Sequence, residues 1–588
     1  MKRLVGVFLA LITLMTAGCN AVPDINVNLP DGTIQKIDIS SLAGNADVSG
    51  NAPGDDKTAE PTEKNGEVMV LFTSDIHCGV DKGFGYAGVA QIRKAMEDEG
   101  YTTILVDDGD AIQGEAIGLL SKGEAIINIM NEVGYDVAIP GNHEFDYGMD
   151  QFMHLTGLAD FPYICCNFRK EGKRVFDPYI IKEACGIKIA FVGVTTPESI
   201  TKSTPEYFEN EKGEFIYDFM QDNTGKALWE EVQKSVDSAR DEGADVVYVM
   251  GHMGNVASSS PYTYADIIEN TNGIDAFLDG HSHDTDQVVM KNKDGREVKR
   301  VCPGYKLNCI GYSRITKDQG VVETGSWSWP NNDSAVKLFE INNHVSEKVT
   351  EEQEKLKDKT DTVVAETEQE LTIYYPEEKD SSGNPIRMVR RSETNLGDLC
   401  ADAFRIELGT DIGMVNGGGV RESIKKGDLT IGEIINVFPF SDSGCIIEAT
   451  GQQILDFLEW GARSLPDENG AFVHVSGMTY EIDTSIPSGC KSSDDGMCEG
   501  CEGERRVRNV MVADEPLDPS KKYTVAGNEY MLRKNGDGQT AFNEAVLLEN
   551  TGKSDNQVLY DYIVESLDGH VGKEYADPYG QGRITVLE

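Results

Sequence analysis

Between residues 68 and 343, short apolar runs alternate with longer stretches whose apolar positions recur at helical spacing. Residues 68–72 have the pattern of a buried strand and 88–96 that of a helix. Residues 103–106 and 137–139 repeat the strand pattern, with a helix predicted over 124–133 between them. Strands follow over 187–192, 246–250 and 276–278, helices over 227–239 and 264–268, and extended β structure over 295–323. This is the α/β pattern, in which ligands gather at the carboxyl ends of the strands.

A charged, glycine-free run over 345–361 carries Glu and Lys at helical spacing. It is either a connecting helix or a solvated terminal helix of the first domain. A second, smaller α/β unit follows. Its predicted helices span 395–406, 431–437 and 451–462, and its strands 411–416 and 445–448. Residues 489–503 form a loop rich in glycine and acid that holds Cys490, Cys498 and Cys501. Upstream, 24–40 alternates around Asp31-Gly32 and predicts a small hairpin, and 42–66 has the composition of a flexible stalk. The division expected is a leader over 1–19, a stalk over 20–66, a first domain over 67–345, a linker helix over 346–361 and a second domain over 362–588.

Composition sharpens this picture in two places. A length of 588 residues allows more than one domain, and a formal charge of −47 argues against a nucleic acid polymer as partner. An anionic small molecule would then need local positive charge from metals or arginines. The leader has Lys2 and Arg3, an apolar stretch over 5–15, and then Thr16-Ala17-Gly18-Cys19, which resembles a bacterial lipoprotein cleavage box. Thr16 departs from that pattern, so an ordinary cleaved signal with an incidental cysteine is the alternative. If the box is used, Cys19 carries the lipid and the chain is anchored outside the cytoplasm without spanning the membrane. Of the 12 cysteines, an odd number remains after Cys19, which leaves at least one thiol unpaired. Cys498 and Cys501 have ligand-type spacing, with Cys490 nearby, so this loop is expected to hold either a disulfide or a structural zinc.

Five stretches share one form, an apolar strand followed by metal-type side chains. They are Ser74-Asp75-Ile76-His77, Asp108-Gly109-Asp110, Pro140-Gly141-Asn142-His143-Glu144-Phe145-Asp146, Gly251-His252 and Asp279-Gly280-His281-Ser282-His283. Asp and His suit divalent ions such as Zn, Mn or Fe. Asp75 and His77 alternate, so both can reach one ion. Asp110 can bridge two ions, and His283 can face the ion that His281 does not. Asp146, three residues after His143, is close enough to hold its ring. A two-metal site of this kind clamps the attacking and leaving oxygens of a phosphoryl displacement. His154, His344, His474 and His570 fall outside the motifs and are expected to be incidental.

These motifs, in this order, resemble the metallophosphatase superfamily, and within it the bacterial and ecto-5′-nucleotidase family. The resemblance implies a four-layer β-sandwich flanked by helices, joined by a helix to a smaller α/β substrate domain. It implies two divalent ions, one held by Asp75, His77, Asp110 and His283, the other by Asp110, Asn142, His252 and His281. His143 would stabilise phosphate oxygens, oriented by Asp146. In the second domain, Asn416-Gly417-Gly418-Gly419-Val420-Arg421 resembles the family's nucleotide-contacting turn. Arg390 falls where a second phosphate arginine belongs, with Arg391 as a neighbour easily confused with it. Phe440 would stack on the base and Asp537 would contact the ribose. The facing aromatic is expected six residues before Asp537, where this chain has Met531, with Tyr530 as the substitute if the register shifts. The implied reaction is release of phosphate from nucleoside 5′-monophosphates. The alternatives are 2′,3′-cyclic nucleotides, 3′-nucleotides or nucleotide-sugars at the same site, or a surface-binding protein with a relic site.

Overall fold

The computed structural model describes residues 25–28, 34–37, 66–255, 259–328, 343–379 and 385–587. The expected leader, Cys19 and most of the stalk lie outside the described residues. Ile25–Asn28 pairs antiparallel with Ile34–Ile37, so the predicted hairpin forms.

The strands of the first domain's two sheets are, in chain order, β1 (Val68–Thr73), β2 (Thr102–Asp107), β3 (Val137–Ala138), β4 (Tyr179–Ala184), β5 (Ile187–Thr195), β6 (Val246–His252), β7 (Ala276–Asp279), β8 (Thr285–Lys291), β9 (Glu297–Pro303), β10 (Cys309–Thr316) and β11 (Gly320–Ser328). One sheet has the order β11-β10-β1-β2-β3 and the other β8-β9-β7-β6-β5-β4. In the first, β1, β2 and β3 run parallel. In the second, β5, β6, β7 and β9 do.

The sheets face each other. Val68, Val70 and Phe72 of β1 meet Phe191, Val246, Tyr248 and Met250 in a shared core. The alternate residues Met69 and Leu71 point outward beneath the helices α1 (Gly85–Asp98), α2 (Glu124–Val133) and α3 (Met149–Leu158). Val247 and Val249 do the same beneath α4 (Lys226–Asp241) and α5 (Tyr264–Asn270). Central strands are therefore buried on both faces, which is why they are apolar at successive positions rather than alternating. Each such side chain contributes roughly 1.5–3 kcal/mol on burial. The result is the four-layer architecture that the resemblance implies.

The charged run after the first domain forms two pieces, α6 (His344–Glu354) and a short turn at Lys357–Thr360, with the break at Lys355-Leu356. Asn343 caps α6 in a reciprocal arrangement with Ser346. Val345 and Val349 are buried in the first domain's core, so α6 packs as part of that domain's outer layer.

The second domain holds α7 (Asn395–Glu407), β12 (Ile412–Asn416), α8 (Ile431–Val437), β13 (Ser443–Thr450), α9 (Gly451–Gly461), β14 (Val473–Ser476), β15 (Lys522–Asn528) and β16 (Val546–Ser554). Its sheet has the order β14-β12-β15-β13-β16, with separate cores on its two faces. The expected loop over 489–503 is a hairpin closed by a Cys490–Cys501 disulfide. Two of the three thiolates of the zinc alternative are consumed by this bond, so the disulfide alternative is the one the structure carries. Cys498 stays outside the pair.

Candidate metal centre and substrate cleft

The parallel strands of both sheets end at the same edge, and the motif residues sit on the loops that leave them. Asp75 and His77 follow β1, Asp110 follows β2, Asn142 follows β3, His252 ends β6, and His281 and His283 follow β7. The ligand atoms of Asp75, His77, Asp110 and His283 all lie within 4.8 Å of one another. His77 Nε2 is 3.0 Å from His283 Nε2, and His283 Nε2 is 3.5 Å from Asp75 Oδ1. The other set adjoins this one at Asp110. His252 Nε2 is 3.1 Å from Asp110 Oδ2, and His281 Nδ1 is 2.8 Å from Asn142 Oδ1. One oxygen of Asp110 serves both sides, because Oδ2 also lies 3.7 Å from His77 Nε2 while Oδ1 accepts the His143 N–H at 2.8 Å.

The ring nitrogens can be assigned from their partners. A carbonyl only accepts, so His77 Nδ1–H donates to Gln113 O at 2.9 Å and His252 Nδ1–H to Asp108 O at 2.8 Å. Each ring then turns an Nε2 lone pair into the cluster. His252 Nε2 is buried and makes no aligned hydrogen bond, although Asp110 is near. An orphaned buried polar atom costs about 1–3 kcal/mol, which a coordinated cation would offset. Imidazole, carboxylate and amide oxygen form a donor set suited to a divalent transition-type ion, so the residues present fit one.

The buried carboxylates and rings of the cluster also shift one another's acidity. Burial pushes the Asp75 carboxyl up from its ordinary range. Asp110 is held well below its range because His252, His143 and His77 outweigh burial. Burial works against a charged His252, yet Asp110 and Asp75 raise its ring to about 10. Buried carboxylates here draw in whatever positive charge the site contains.

The backbone is bent to bring these groups together. Asp75, His77, Asp110, His281 and His283 have φ of 51°, 45°, 59°, 79° and 60°. Non-glycine residues rarely hold such values, and they persist only where surrounding contacts enforce them. Gly280 shows how tight the approach is, since a Cβ there would lie 1.9 Å from Ser74 Oγ. Glu144, to which sequence reasoning gave no role, accepts from the backbone N–H groups of Asp110, Ala111 and Gly141 at 2.8, 2.8 and 2.6 Å. It staples the Asp110 loop to the Asn142 loop, and its position directly after His143 was its only signal.

His143 Nδ1 is 2.6 Å from Asp146 Oδ2, so Asp146 holds the ring, which faces the cleft. Among the remaining histidines, His154 pairs with Glu124, His570 with Glu366 and Glu368, and exposed His344 lies near Glu132. His474 is buried and bonds Val389 O. None belongs to the metal cluster. Cys78 is buried, and burial pushes its thiol well up, as a packing residue requires.

Opposite the metal ligands, the second domain forms the other wall of a cleft of about 180 Å³. Arg387, Arg390, Asn416, Arg421, Phe440 and Asp537 all line it, and Arg391 does not. Burial and the neighbouring Arg387 and Arg421 lower Arg390 to about 9, the mark of guanidiniums gathered without enough anions. Arg421 lies over the Phe440 ring at 5.6 Å, and Phe440 is 5.6 Å from the His143 ring. Asn416 Nδ2 donates to Asp537 Oδ2 at 3.2 Å, while Asn416 Oδ1 is buried without a partner. The expectation for Met531 is corrected. Met531 is 3 % exposed and packs in the core against its neighbours, whereas Tyr530 lines the cleft. Asn528 caps the short helix Glu529–Leu532, which turns one of these adjacent side chains inward and the other outward.

The walls touch directly. Lys202 Nζ is 3.3 Å from Asp537 Oδ1, Tyr530 O–H donates to Thr201 O at 2.9 Å, and Ala116 N–H donates to Asn436 Oδ1 at 2.8 Å. Glu198, which no sequence pattern marked, stands 3.3 Å from His281 Nε2. Its acidity persists despite burial because His281, Lys202 and Ser259 hold it at about 2.

Comparison with known proteins bears on both walls. Residues 68–285 match the calcineurin-like phosphoesterase family, and residues 363–544 match the 5′-nucleotidase C-terminal domain. A 5′-nucleotidase of Vibrio parahaemolyticus is 26% identical over 564 residues, covering 89% of this chain and 92% of that protein. A trifunctional nucleotide phosphoesterase of Bacillus subtilis is 25% identical over 576 residues, covering 85% of this chain and 38% of that longer protein. The crystal structure of a 5′-nucleotidase precursor from Thermus thermophilus superposes with a TM-score of 0.72 at 24% identity, over 89% of this chain and 99% of that one. At that identity the superposition speaks for the fold.

Proposed function

The chain belongs to the 5′-nucleotidase family of calcineurin-like phosphoesterases, metal-dependent hydrolases, through both of its domains, and from that premise we propose that it releases orthophosphate from nucleoside 5′-monophosphates at a site for two divalent ions such as zinc or manganese. The observation that carries this reading is the convergence of Asp75, His77, Asp110 and His283, with Asn142, His252 and His281 beside them, across a cleft from Arg387, Arg390 and Arg421.

Divalent ions held by Asp75, His77, Asp110 and His283, and by Asn142, His252 and His281 beside them, would supply positive charge against the phosphoryl oxygens and lower the pKa of an attacking water. The side chains do the rest. Arg387, Arg390 and Arg421 receive the phosphate from the second-domain side and hold it against the metal ligands. His143, fixed by Asp146, donates to a phosphoryl oxygen and stabilises the charge that builds on it in the transition state. Phe440 and Tyr530 supply aromatic faces for the base, and Asn416 and Asp537 supply polar contacts for the ribose. The leader sequence supports a lipid anchor at Cys19 and work outside the cytoplasm. Among the described residues no helix is long and apolar enough to cross a membrane. The expected division, with a linker over 346–361, remains part of this reading, although α6 within that linker packs on the first domain.

A second reading, hydrolysis of cyclic nucleotides, 3′-nucleotides or nucleotide-sugars, has one observation in its favour. A further cavity of about 130 Å³ continues past His283 between Tyr305, Tyr374 and Arg387, where a group on the far side of the phosphate would fit.

The test is metal content together with phosphate release by the purified protein from AMP, a 2′,3′-cyclic nucleotide and a nucleotide-sugar. Two metal equivalents per chain and the highest kcat/KM on AMP are expected. A higher kcat/KM on either other substrate overturns the substrate assignment. A metal-free protein inert on all of them leaves the relic-site alternative.

A further inference from the structure

Behind the metal ligands, away from the cleft, lies a buried guanidinium that no motif marks. Arg300 sits on β9 opposite Phe277 of β7 and is fully buried. Its Nε donates to Asp279 Oδ2 at 3.0 Å, and Nη2 approaches the same oxygen at 2.9 Å. Nη1 donates to Asp284 Oδ2 at 2.9 Å, with Asp286 Oδ2 at 3.5 Å. The Tyr264 ring lies 4.4 Å beneath the guanidinium. A charge this deep is tolerated only with such partners.

The partners matter for where they stand. Asp279 ends β7, two residues before His281, and Asp284 directly follows His283. Arg300 thus grips both ends of the turn that carries two of the metal-type histidines, each at positive φ. The other oxygen of Asp279 accepts from the N–H groups of Met253 and Gly254, at 3.0 and 3.3 Å, and these are the two peptides after His252. Asp284 also accepts from Ser282 Oγ and from Asn255 Nδ2. One guanidinium therefore ties together the backs of three histidines that come from two separate loops.

We propose that Arg300 is a positioning residue for the metal centre, holding the His252 loop and the His281–His283 turn in register so that their ring nitrogens meet at the same cluster. This rests on the metal-site reading above. The forked donor is needed because Asp279 and Asp284 lie in different directions, which a lysine ammonium cannot serve at once. Lost support behind histidine ligands typically weakens metal binding about 10–100-fold.

The experiment uses the full chain, stripped with chelator and titrated calorimetrically with Mn²⁺ or Zn²⁺ alone, alongside kcat, KM and melting temperature. The variants are Arg300→Gln, Arg300→Lys and Asp284→Asn. Asp284 keeps 23% of its side chain exposed, so Asp284→Asn leaves the fold intact if the buried Arg300 variants do not fold. Metal affinity is expected to fall about 10–100-fold in Asp284→Asn and in each Arg300 variant that folds, with kcat recovered by excess metal. If the unaltered chain binds no metal, the parent reading fails. If it binds metal and the folded variants bind as tightly, Arg300 is a structural residue only, whatever happens to their melting temperature.

Discussion

Asp75 and His77 stand two residues apart and reach the same cluster, and the three residues Asn142, Glu144 and Asp146 each hold a different part of the same site. On the opposite wall, Arg390, Arg421, Phe440 and Asp537 arrive singly from separate loops, and adjacent residues have opposite fates, as Tyr530 and Met531 do. The metal wall is buried, strained and bonded into one unit. The substrate wall is a set of individually placed side chains on a sheet whose own core does not depend on them. Metal coordination fixes donor type and distance to within tenths of an ångström, so it needs several ligands on short rigid loops. Recognition of a base and a ribose tolerates looser geometry, so one aromatic can be exchanged for its neighbour.

This contrast predicts that damage on the two walls differs in kind. We predict that Asp110→Asn lowers kcat by about 10³-fold, the scale seen when a preorganised charge-stabilising group is lost, and also lowers bound metal. Phe440→Ala is expected to raise KM about tenfold with kcat nearly unchanged, consistent with a stacking contribution of about 1–3 kcal/mol. Steady-state kinetics with metal analysis decides. A Phe440→Ala variant that loses kcat as heavily as Asp110→Asn, with KM unmoved, would break the distinction.

A smaller effect separates two neighbours within the substrate wall. Arg390 lines the cleft, whereas Arg391 reaches toward Glu468 at 3.6 Å. Loss of a charge-assisted contact worth about 1.5–3 kcal/mol would raise KM roughly 10–100-fold in Arg390→Ala. Arg391→Ala should stay within about twofold, since Arg391 does not line the cleft and stands 3.6 Å from Glu468, which Arg387 already holds at 2.7 Å. Equal effects would mean that the phosphate meets the pair rather than one guanidinium.

The same contrast explains what could be seen in the sequence. All seven metal-type residues, and the His143–Asp146 pair, were legible because strand, turn and ligand are contiguous. The α/β pattern followed from the apolar periodicity of strands buried on both faces, and the four-layer arrangement from the family resemblance alone. The pieces that escaped lack such local signatures. β4 and α3 are partly exposed or weakly amphipathic, β16 is an exposed edge strand, and β15 is a short buried strand whose run is broken by Thr524, Gly527 and Asn528. Arg300 and Glu198 act through tertiary contacts with the ligand loops, and nothing adjacent in the chain announces them. Counting back from Asp537 points to Met531, with Tyr530 one position away, because a count along the chain cannot register how a four-residue helix turns.

That last point is itself testable, with effects about tenfold or less. Tyr530→Ala should raise KM for the mononucleotide several-fold, because it removes an aromatic face and the hydrogen bond to Thr201 O. Met531→Leu, a volume-conserving change in a packed core, should leave KM alone and cost under about 1.5 kcal/mol of stability. A KM effect confined to Met531→Leu would return the base contact to Met531.

A last effect, read in stability with no change in catalysis, concerns how the substrate wall is held. His474 on β14 is fully buried, and its Nε2–H donates to Val389 O at 2.8 Å, one residue before Arg390. Burial lowers this ring from 6.5 to about 4, so it stays neutral in the fold. In the unfolded chain it takes a proton near pH 6.5. The unfolded state therefore binds the proton first as pH falls, and the stability that the neutral ring contributes, whole above pH 6.5, is lost between 6.5 and 4 at up to about 1.4 kcal/mol per pH unit. His474→Gln keeps an amide donor for Val389 O and does not titrate. Urea unfolding of both proteins from pH 7 to pH 4 should show their stability difference shifting by about 3 kcal/mol, against the histidine, as pH falls. Other groups titrate in both proteins and cancel in that difference. A difference that stays flat with pH would mean that the ring reaches water or a compensating acid, and that the backbone before Arg390 is held by something other than a buried neutral imidazole.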